Sequence, residues 1–415
     1  MNTINNEVKR PRAVLVCVDT GEFNAESSID ELEELADTAG VETIAHVIQK
    51  RTSYDSATCI GAGRLEELAE YISNNDIEIT IFDHELTANQ TKSIENIIGV
   101  RVIDRTTLIL DIFAQRALTK EGRIQVELAQ NKYRLAHLAG KGIELSRLGG
   151  GIGTRGPGES KLETDKRHIR KRIETLHSEL KELEKRRNFR RARRKKDNFL
   201  VGAIVGYTNV GKSTLLNALT DAGVLAEDKL FATLDITSRA LELPDGRSIM
   251  LIDTVGLIRR LPHNLVEAFK STLEEAANAD IIINLIDISA DDGYEQAKVT
   301  YDLLSELGCD DIPKINVLNK IDKLDQDTVI PEDSTTVAIS ARNHIGFNEL
   351  LECISRNLPK TSKRGRYLIP YDKTALINRI REDGKIFSEE FTENGTIIDA
   401  LVDLKIYLSV KEYSI

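Results

Sequence analysis

Gly206-Tyr207-Thr208-Asn209-Val210-Gly211-Lys212-Ser213-Thr214 places a lysine and two hydroxyls behind a turn bounded by glycines. The spacing is G-x-x-x-x-G-K-[ST]. An apolar run, residues 199–205, precedes it, and Leu215-Leu216-Asn217-Ala218-Leu219 follows with helical spacing. Strand, tight turn and helix is the order that aims backbone N–H groups at phosphate oxygens from a helix N-terminus. In such a loop Gly206, Asn209, Val210, Gly211 and Thr214 line the phosphates, Lys212 neutralises the β- and γ-phosphates, and the Ser213 hydroxyl ligates Mg²⁺.

Three further stretches narrow the nucleotide. Asp253-Thr254-Val255-Gly256 follows the apolar Ile249-Met250-Leu251-Ile252, which puts a carboxylate for Mg²⁺ at a strand end and a Gly256 N–H within reach of a γ-phosphate. Asn319-Lys320-Ile321-Asp322 follows Lys314-Ile315-Asn316-Val317-Leu318. The Asp322 carboxylate can accept from guanine N1–H and the N2 amine together, a donor pair that adenine does not present. Ser340-Ala341, after Val337-Ala338-Ile339, offers backbone to guanine O6. Four elements in this order point to GTP and GDP as ligands and to phosphoryl transfer to water.

The hydroxyl that completes the Mg²⁺ shell in the triphosphate state comes from a loop between the phosphate loop and Asp253. Thr233 is the expected residue, with Thr237 the alternative. Lys212, Thr233, Asp253 and Gly256 therefore form the expected catalytic set, and Ser213, Thr233 and Asp253 the metal set. Leu257 stands where many small GTPases carry a Gln that orients water, so slow intrinsic hydrolysis is expected. Asn209 reads first as a turn-stabilising residue and second as a ligand for K⁺ beside the phosphates.

These residues sit in a chain of 415 residues, 41% hydrophobic and 30% charged, long enough for two to four domains. No apolar run reaches membrane-spanning length, the first residues lack an apolar signal region, and Cys17, Cys59, Cys309 and Cys353 form no C-x-x-C pair. A cytoplasmic protein without a membrane anchor is expected, its cysteines buried thiols. No His/Cys cluster suggests a transition metal. The net charge of −11 is uneven: residues 166–196 hold fifteen Lys or Arg against four Glu. An acidic body with one basic element can bind nucleic acid locally.

The expected fold class is α/β. Residues 1–116 alternate strand and helix patterns, with strands over 13–18, 41–48 and 77–82 and helices over 28–39 and from Arg64. Residues 117–199 read as an antiparallel helical hairpin. Ile124, Leu128, Leu135 and Leu138 share one face with Asn131, and Leu162, Ile169, Ile173, Leu176, Leu180 and Leu183 share another. Its expected tip, residues 139–160, holds eight glycines together with Arg147 and Arg155, a composition suited to close approach to phosphates. Residues 200–360 carry the nucleotide motifs on a mixed, mostly parallel sheet. Residues 361–415 read as a small α+β appendage with a helix over 373–382 and strands at 395–398 and 404–407.

The pattern resembles the HflX family of translational GTPases. The resemblance rests on Gly156-Pro157-Gly158-Glu159-Ser160-Lys161-Leu162-Glu163-Thr164-Asp165-Lys166-Arg167, on Phe231-Ala232-Thr233-Leu234-Asp235, and on Asp253-Thr254-Val255-Gly256-Leu257-Ile258-Arg259-Arg260-Leu261-Pro262-His263. Lys161 stands where the family usually has Gln, Leu257 where it often has Phe, and Ile236 where it often has Pro. The resemblance implies a cytoplasmic GTPase that binds the large ribosomal subunit through rRNA and ribosomal proteins, and whose hydrolysis the ribosome stimulates. It also implies dissociation or rescue of stalled or dormant ribosomes under stress. Off the ribosome the chain is expected to be a monomer.

Overall fold

The computed structural model describes residues 10–147, 157–196, 200–220, 230–231, 237–260, 274–324, 333–359 and 362–415, and leaves undescribed the side chains of 139–147, 157–162, 190–196, 362, 383, 404 and 405. It divides into two compact units. The first holds residues 1–187, 227–235 and 258–271, and the second holds the remainder.

In the first unit, β1 (Arg12–Asp19), β2 (Glu42–Lys50), β3 (Ile79–Phe82) and β4 (Arg101–Asp104) form a parallel sheet in the order β2-β1-β3-β4. Ala13 to Val18 are fully buried, the continuous apolar run of a strand covered on both faces. The helices are α1 (Ala25–Thr38), α2 (Ala62–Asn74), α3 (Ala88–Ile98) and α4 (Arg105–Arg116). Side chains set the starts of α1, α3 and α4: Asn24 accepts from Ser27 N–H, Thr87 and Gln90 cap reciprocally, and Asp104 accepts from Thr107 N–H. After β1 the chain places β2 on one side and β3 on the other, so a topological switch point lies between β1 and β3.

Two long helices follow, α5 (Lys120–Arg147) and α6 (Pro157–Lys196). They run antiparallel, since Glu121 pairs with Arg187 and Glu127 with Arg172. Leu176 is fully buried against Ile124 and Leu128, with Ile173, Leu180 and Leu183 beside them. Both ends of the expected 139–160 loop are helical instead. Helical backbone continues to Arg147 and resumes at Pro157, so only residues 148–156 of the 139–160 stretch fall outside the described residues. Gly140 and Gly142 each cost a helix about 1 kcal/mol, which the better helix formers around them offset, and Pro157 suits a first helical position.

In the second unit, β5 (Leu200–Gly206), β6 (Thr237–Glu242), β7 (Ser248–Asp253), β8 (Ile281–Asp287), β9 (Lys314–Asn319) and β10 (Thr336–Ala338) form a sheet in the order β10-β9-β8-β5-β7-β6. All pairings are parallel except β6 with β7. Every residue of β8 is buried, as its apolar run predicts. Helices α7 (Lys212–Thr220), α8 (Gly293–Glu306) and α9 (Phe347–Asn357) accompany it.

The C-terminal part is an antiparallel sheet, β11 (Ser362–Ile369), β12 (Lys385–Thr392) and β13 (Gly395–Asp403), in the order β11-β13-β12. Helices α10 (Thr374–Asp383) and α11 (Leu404–Val410) complete its core around Tyr367, Ile380 and Ile398. The strand expected at 404–407 is instead the first turns of α11. Asp403 accepts from Ile406 N–H at 2.7 Å and caps a helix, and Ile406 and Val410, four apart, both enter the core. Among the described residues no helix is long and apolar enough to cross a membrane.

Candidate active site

The turn after β5 owes its shape to two glycines. Gly206 has φ 149° and a Cβ there would meet Leu285 O at 2.3 Å; Gly211 has φ 95° and a Cβ would meet Asn319 Nδ2 at 2.6 Å. Asn209, between them, takes φ 60°, which Asn tolerates better than most residues. α7 begins at Lys212. With Asn209, Val210, Gly211, Ser213 and Thr214 it forms one continuous turn at the carboxyl end of the central strand.

The Lys212 ammonium is buried and donates to Gly206 O at 3.2 Å and Tyr207 O at 2.6 Å. Burial pulls its pKa down to about 8, and the Asp253 carboxylate partly opposes that shift. Ser213 Oγ donates to Asp253 Oδ2 at 2.7 Å, and Asp253 is 1% exposed. Thr254 donates through its N–H and its hydroxyl to Ile204 O, at 3.3 and 2.8 Å, which fixes β7 beside β5. Thr208 N–H donates to Leu257 O at 2.7 Å and Leu257 N–H to Gly206 O at 3.2 Å. Gly256 is thereby pressed onto the loop: a Cβ there would stand 2.7 Å from Thr208 Cγ2 and 3.0 Å from Lys212 Nζ. Lys212, Ser213, Asp253 and Gly256 thus converge.

The base side is tied to the same loop. Asn319 donates to Val210 O at 2.8 Å and accepts from Ala341 N–H at 2.9 Å. One side chain therefore joins the phosphate turn, the end of β9 and the Ser340-Ala341 segment. Lys320 has φ 66° and pairs with Asp287 at 2.6 Å. Ser340 Oγ donates to Asp322 Oδ1 at 2.5 Å and accepts from Asn343 N–H at 3.1 Å. Asn319, Lys320, Asp322, Ser340 and Ala341 are brought together as well.

Thr233, the expected switch hydroxyl, lies outside the described residues; Thr237, its alternative, starts β6 opposite Asp253. Sequence reasoning passed over Asp287 and Thr254. Asp287 could have been found as the carboxylate closing an apolar strand run, the same signal that marks Asp253. A third cluster was also missed. Cys17, Asp83 and His84 bring ligating atoms within 4.8 Å of one another in the first unit. Sixty-six residues separate Cys17 from Asp83 in sequence, and no spacing rule links them. All four cysteines are free and buried.

Three protein-family models match the chain: "GTP-binding GTPase N-terminal" over residues 26–114, "GTP-binding GTPase Middle Region" over 116–194, and "50S ribosome-binding GTPase" over 201–320. The chain is 51% identical to GTPase HflX of Caldanaerobacter subterraneus subsp. tengcongensis over 98% of its own length and 94% of that protein's. It is 48% identical to GTPase HflX of Lacrimispora saccharolytica, covering 97% and 96%. Against GTPase HflX of Escherichia coli it is 38% identical, covering 93% and 92%. Similarity of this extent spans the parallel-sheet unit, the helical pair and the phosphate-loop domain alike. The chain belongs to the HflX family and is a GTPase.

Proposed function

We propose that the chain is a GTP-operated switch that binds the large ribosomal subunit and dissociates or rescues stalled or dormant ribosomes, chiefly under stress. The observation that carries the nucleotide half is the Asn319 bridge, which ties the phosphate turn to the Ser340-Ala341 segment beside Asp322. The ribosomal half is supported by the description of the matching family model and by the basic stretch of α6.

In this reading Lys212 holds the β- and γ-phosphates, and backbone from Gly206 to Thr214 surrounds them. Ser213 Oγ beside the buried Asp253 carboxylate suits the hard oxygen shell of Mg²⁺, with Thr233 added in the triphosphate state. Bound there, Mg²⁺ would neutralise charge on the phosphate oxygens. Asn209 stabilises the turn, and its amide oxygen is the one candidate we assign to K⁺. Gly256 N–H meets the γ-phosphate. Leu257 is apolar and 5% exposed, so it orients no water, and hydrolysis is slow until the ribosome completes the site. Residues 200–360 are the switch, residues 1–116 and 117–199 reach rRNA with the glycine-rich 139–160 stretch foremost, and 361–415 is an appendage. The protein works as a cytoplasmic monomer off the ribosome.

The depressed lysine gives a pH signature. Between about pH 8 and 10.5 the folded, nucleotide-free chain has shed the Lys212 proton while the unfolded chain retains it, so stability from this group rises across that window. Phosphate should restore the proton. Calorimetry at pH 8.5 in buffers of different ionisation enthalpy is expected to show proton uptake on GDP binding, and affinity is expected to fall as pH climbs past 8.

Ribosome sedimentation with and without a non-hydrolysable GTP analogue tests the whole reading. Co-sedimentation with the large subunit is expected only with the analogue. Nucleotide-independent binding would mean a passive RNA-binding factor, and absence from the ribosomal fraction would mean a GTPase with another partner. Replacing Arg190, Arg191, Arg193 and Arg194 together by Gln is expected to weaken ribosome binding and flatten its salt dependence by up to about four charges.

A further inference from the structure

We propose that the crevice at the carboxyl ends of β1 and β3 is a guanidinium-binding site, and that its resident ligand is the side chain of Arg260. In an open parallel sheet, ligands are received outside the strand ends at the topological switch point. In the order β2-β1-β3-β4 that point lies between β1 and β3. Asp83 and His84, just past β3, stand there with Cys17 of β1 and Ser28 of α1.

Asp83 is fully buried, and its partners are divided between its two oxygens. Oδ1 accepts from Arg105 Nη1 at 2.8 Å. Oδ2 accepts from Ser28 Oγ at 2.7 Å, from Cys17 Sγ at 3.5 Å and from Arg260 Nη2. Arg105 is itself paired with Glu31, 10% exposed. Apart from Arg260, the second oxygen of Asp83 thus meets only the neutral Ser28 and Cys17 donors. A fully buried carboxylate is costly unless cations with matching hydrogen bonds reach it.

The neighbouring titratable groups do not supply that cation. His84 Nε2 accepts from Val18 N–H at 2.8 Å, and burial pulls its pKa down to about 4. Burial pushes the Cys17 thiol up to about 12, so it remains a neutral donor. A metal ion at Cys17, Asp83 and His84 would need the thiolate and would stand against two guanidinium groups. A planar cation fits better. Arg260 Nη2 spans Asp83 and Ser28 while its guanidinium lies 4.2 Å from the centroid of the Phe23 ring. A flat cation laid on a ring face, with one end bonded to a carboxylate and a hydroxyl, is an arrangement that a guanidinium makes more readily than a compact ammonium.

Arg260 behaves as a ligand reaching in rather than as part of the sheet's own core. Its side chain is 33% exposed while Asp83 is 0% exposed, and its backbone takes φ 49°, a left-handed conformation that costs a residue with a Cβ. Arg259 beside it donates to Ser27 Oγ at 2.9 Å, and its carbonyl accepts from Arg105 Nη2 at 3.2 Å. Arg260 is the fourth residue after Gly256.

The test uses full-length protein and ethylguanidinium as probe, with ethylammonium as the equally charged control. Arg260→Ala is expected to bind one ethylguanidinium per chain, saturably, by ligand-observed NMR, and ethylammonium at least about tenfold more weakly. Adding Ser28→Ala is expected to weaken the probe's binding. In the unaltered protein, ethylguanidinium at tens of millimolar should compete with Arg260 at its intramolecular effective concentration and speed amide hydrogen exchange over residues 258–260, whereas ethylammonium should not. Equal response to the two cations, or no saturable binding by folded Arg260→Ala, overturns the proposal. If that variant does not fold, the exchange measurement on unaltered protein decides alone, and unchanged exchange overturns it.

Discussion

Lys212→Ala is expected to abolish measurable GTP hydrolysis and to weaken GTP binding by roughly a hundredfold or more. The ammonium is buried at the mouth of the turn, where its donors meet only the carbonyls of Gly206 and Tyr207. In our reading those donors pass to the β- and γ-phosphates when nucleotide binds. A hydrogen bond to a charged group contributes about 1.5–3 kcal/mol, so loss of two such bonds accounts for the binding effect. Charge that develops on the transferring group makes the loss larger in the transition state than in the ground state. Fluorescent-nucleotide titration and single-turnover hydrolysis measure the two separately. Thermal denaturation without nucleotide keeps loss of binding distinct from loss of fold. Wild-type hydrolysis by the folded variant would remove Lys212 from the proposed mechanism.

The parts of this molecule that were legible in sequence are those whose physics is local. A run such as 281–286, apolar except for Asn284, reads as a covered parallel strand, and a G-x-x-x-x-G-K-[ST] stretch between strand and helix leaves its backbone little choice. β4 and α3 went unread because Arg101 to Asp104 is too short for a pattern and α3 is announced mainly by its Thr87–Gln90 cap. Residues 404–407 were misread because Leu-Lys-Ile-Tyr alternates like a strand, while the deciding Asp403 cap is a single bond. Residues 139–147 were misread because glycine content was weighed above the helix formers between the glycines.

What sequence could not reveal is pairing at a distance. Asn319 was placed in the base-recognition motif, yet its bonds run to Val210 and Ala341, 109 and 22 residues away. Asp83, Arg105, Glu31 and Arg260 each look like ordinary surface charges in a chain that is 30% charged. Their burial together follows from where β1, β3, α1 and α4 bring them, which no periodicity encodes.

Asp322→Asn is expected to exchange the preferred base, lowering GTP affinity by roughly 10²–10³-fold while xanthosine triphosphate becomes the better ligand, because a site built to pair buried polar groups strongly rejects a mismatched partner. Ser340 Oγ donates to one oxygen of the Asp322 carboxylate and so sets its orientation. In our reading the carboxylate accepts from guanine N1–H and from the N2 amine. An asparagine whose oxygen accepts from Ser340 and N1–H turns its amide N–H₂ toward the N2 amine, so donor faces donor. Xanthine carries a carbonyl where guanine carries the N2 amine, and the amide donates to it. The change preserves volume and leaves the Asn319 bridge untouched, so the phosphate side should bind as before. Hydrolysis of xanthosine triphosphate by the variant is therefore expected near the unaltered protein's rate on GTP. Competition binding with GDP, ADP and xanthosine diphosphate reads the exchange directly. A variant that still prefers GDP by its original margin would show that guanine is recognised elsewhere in the pocket, and Asp322 would lose its assigned role.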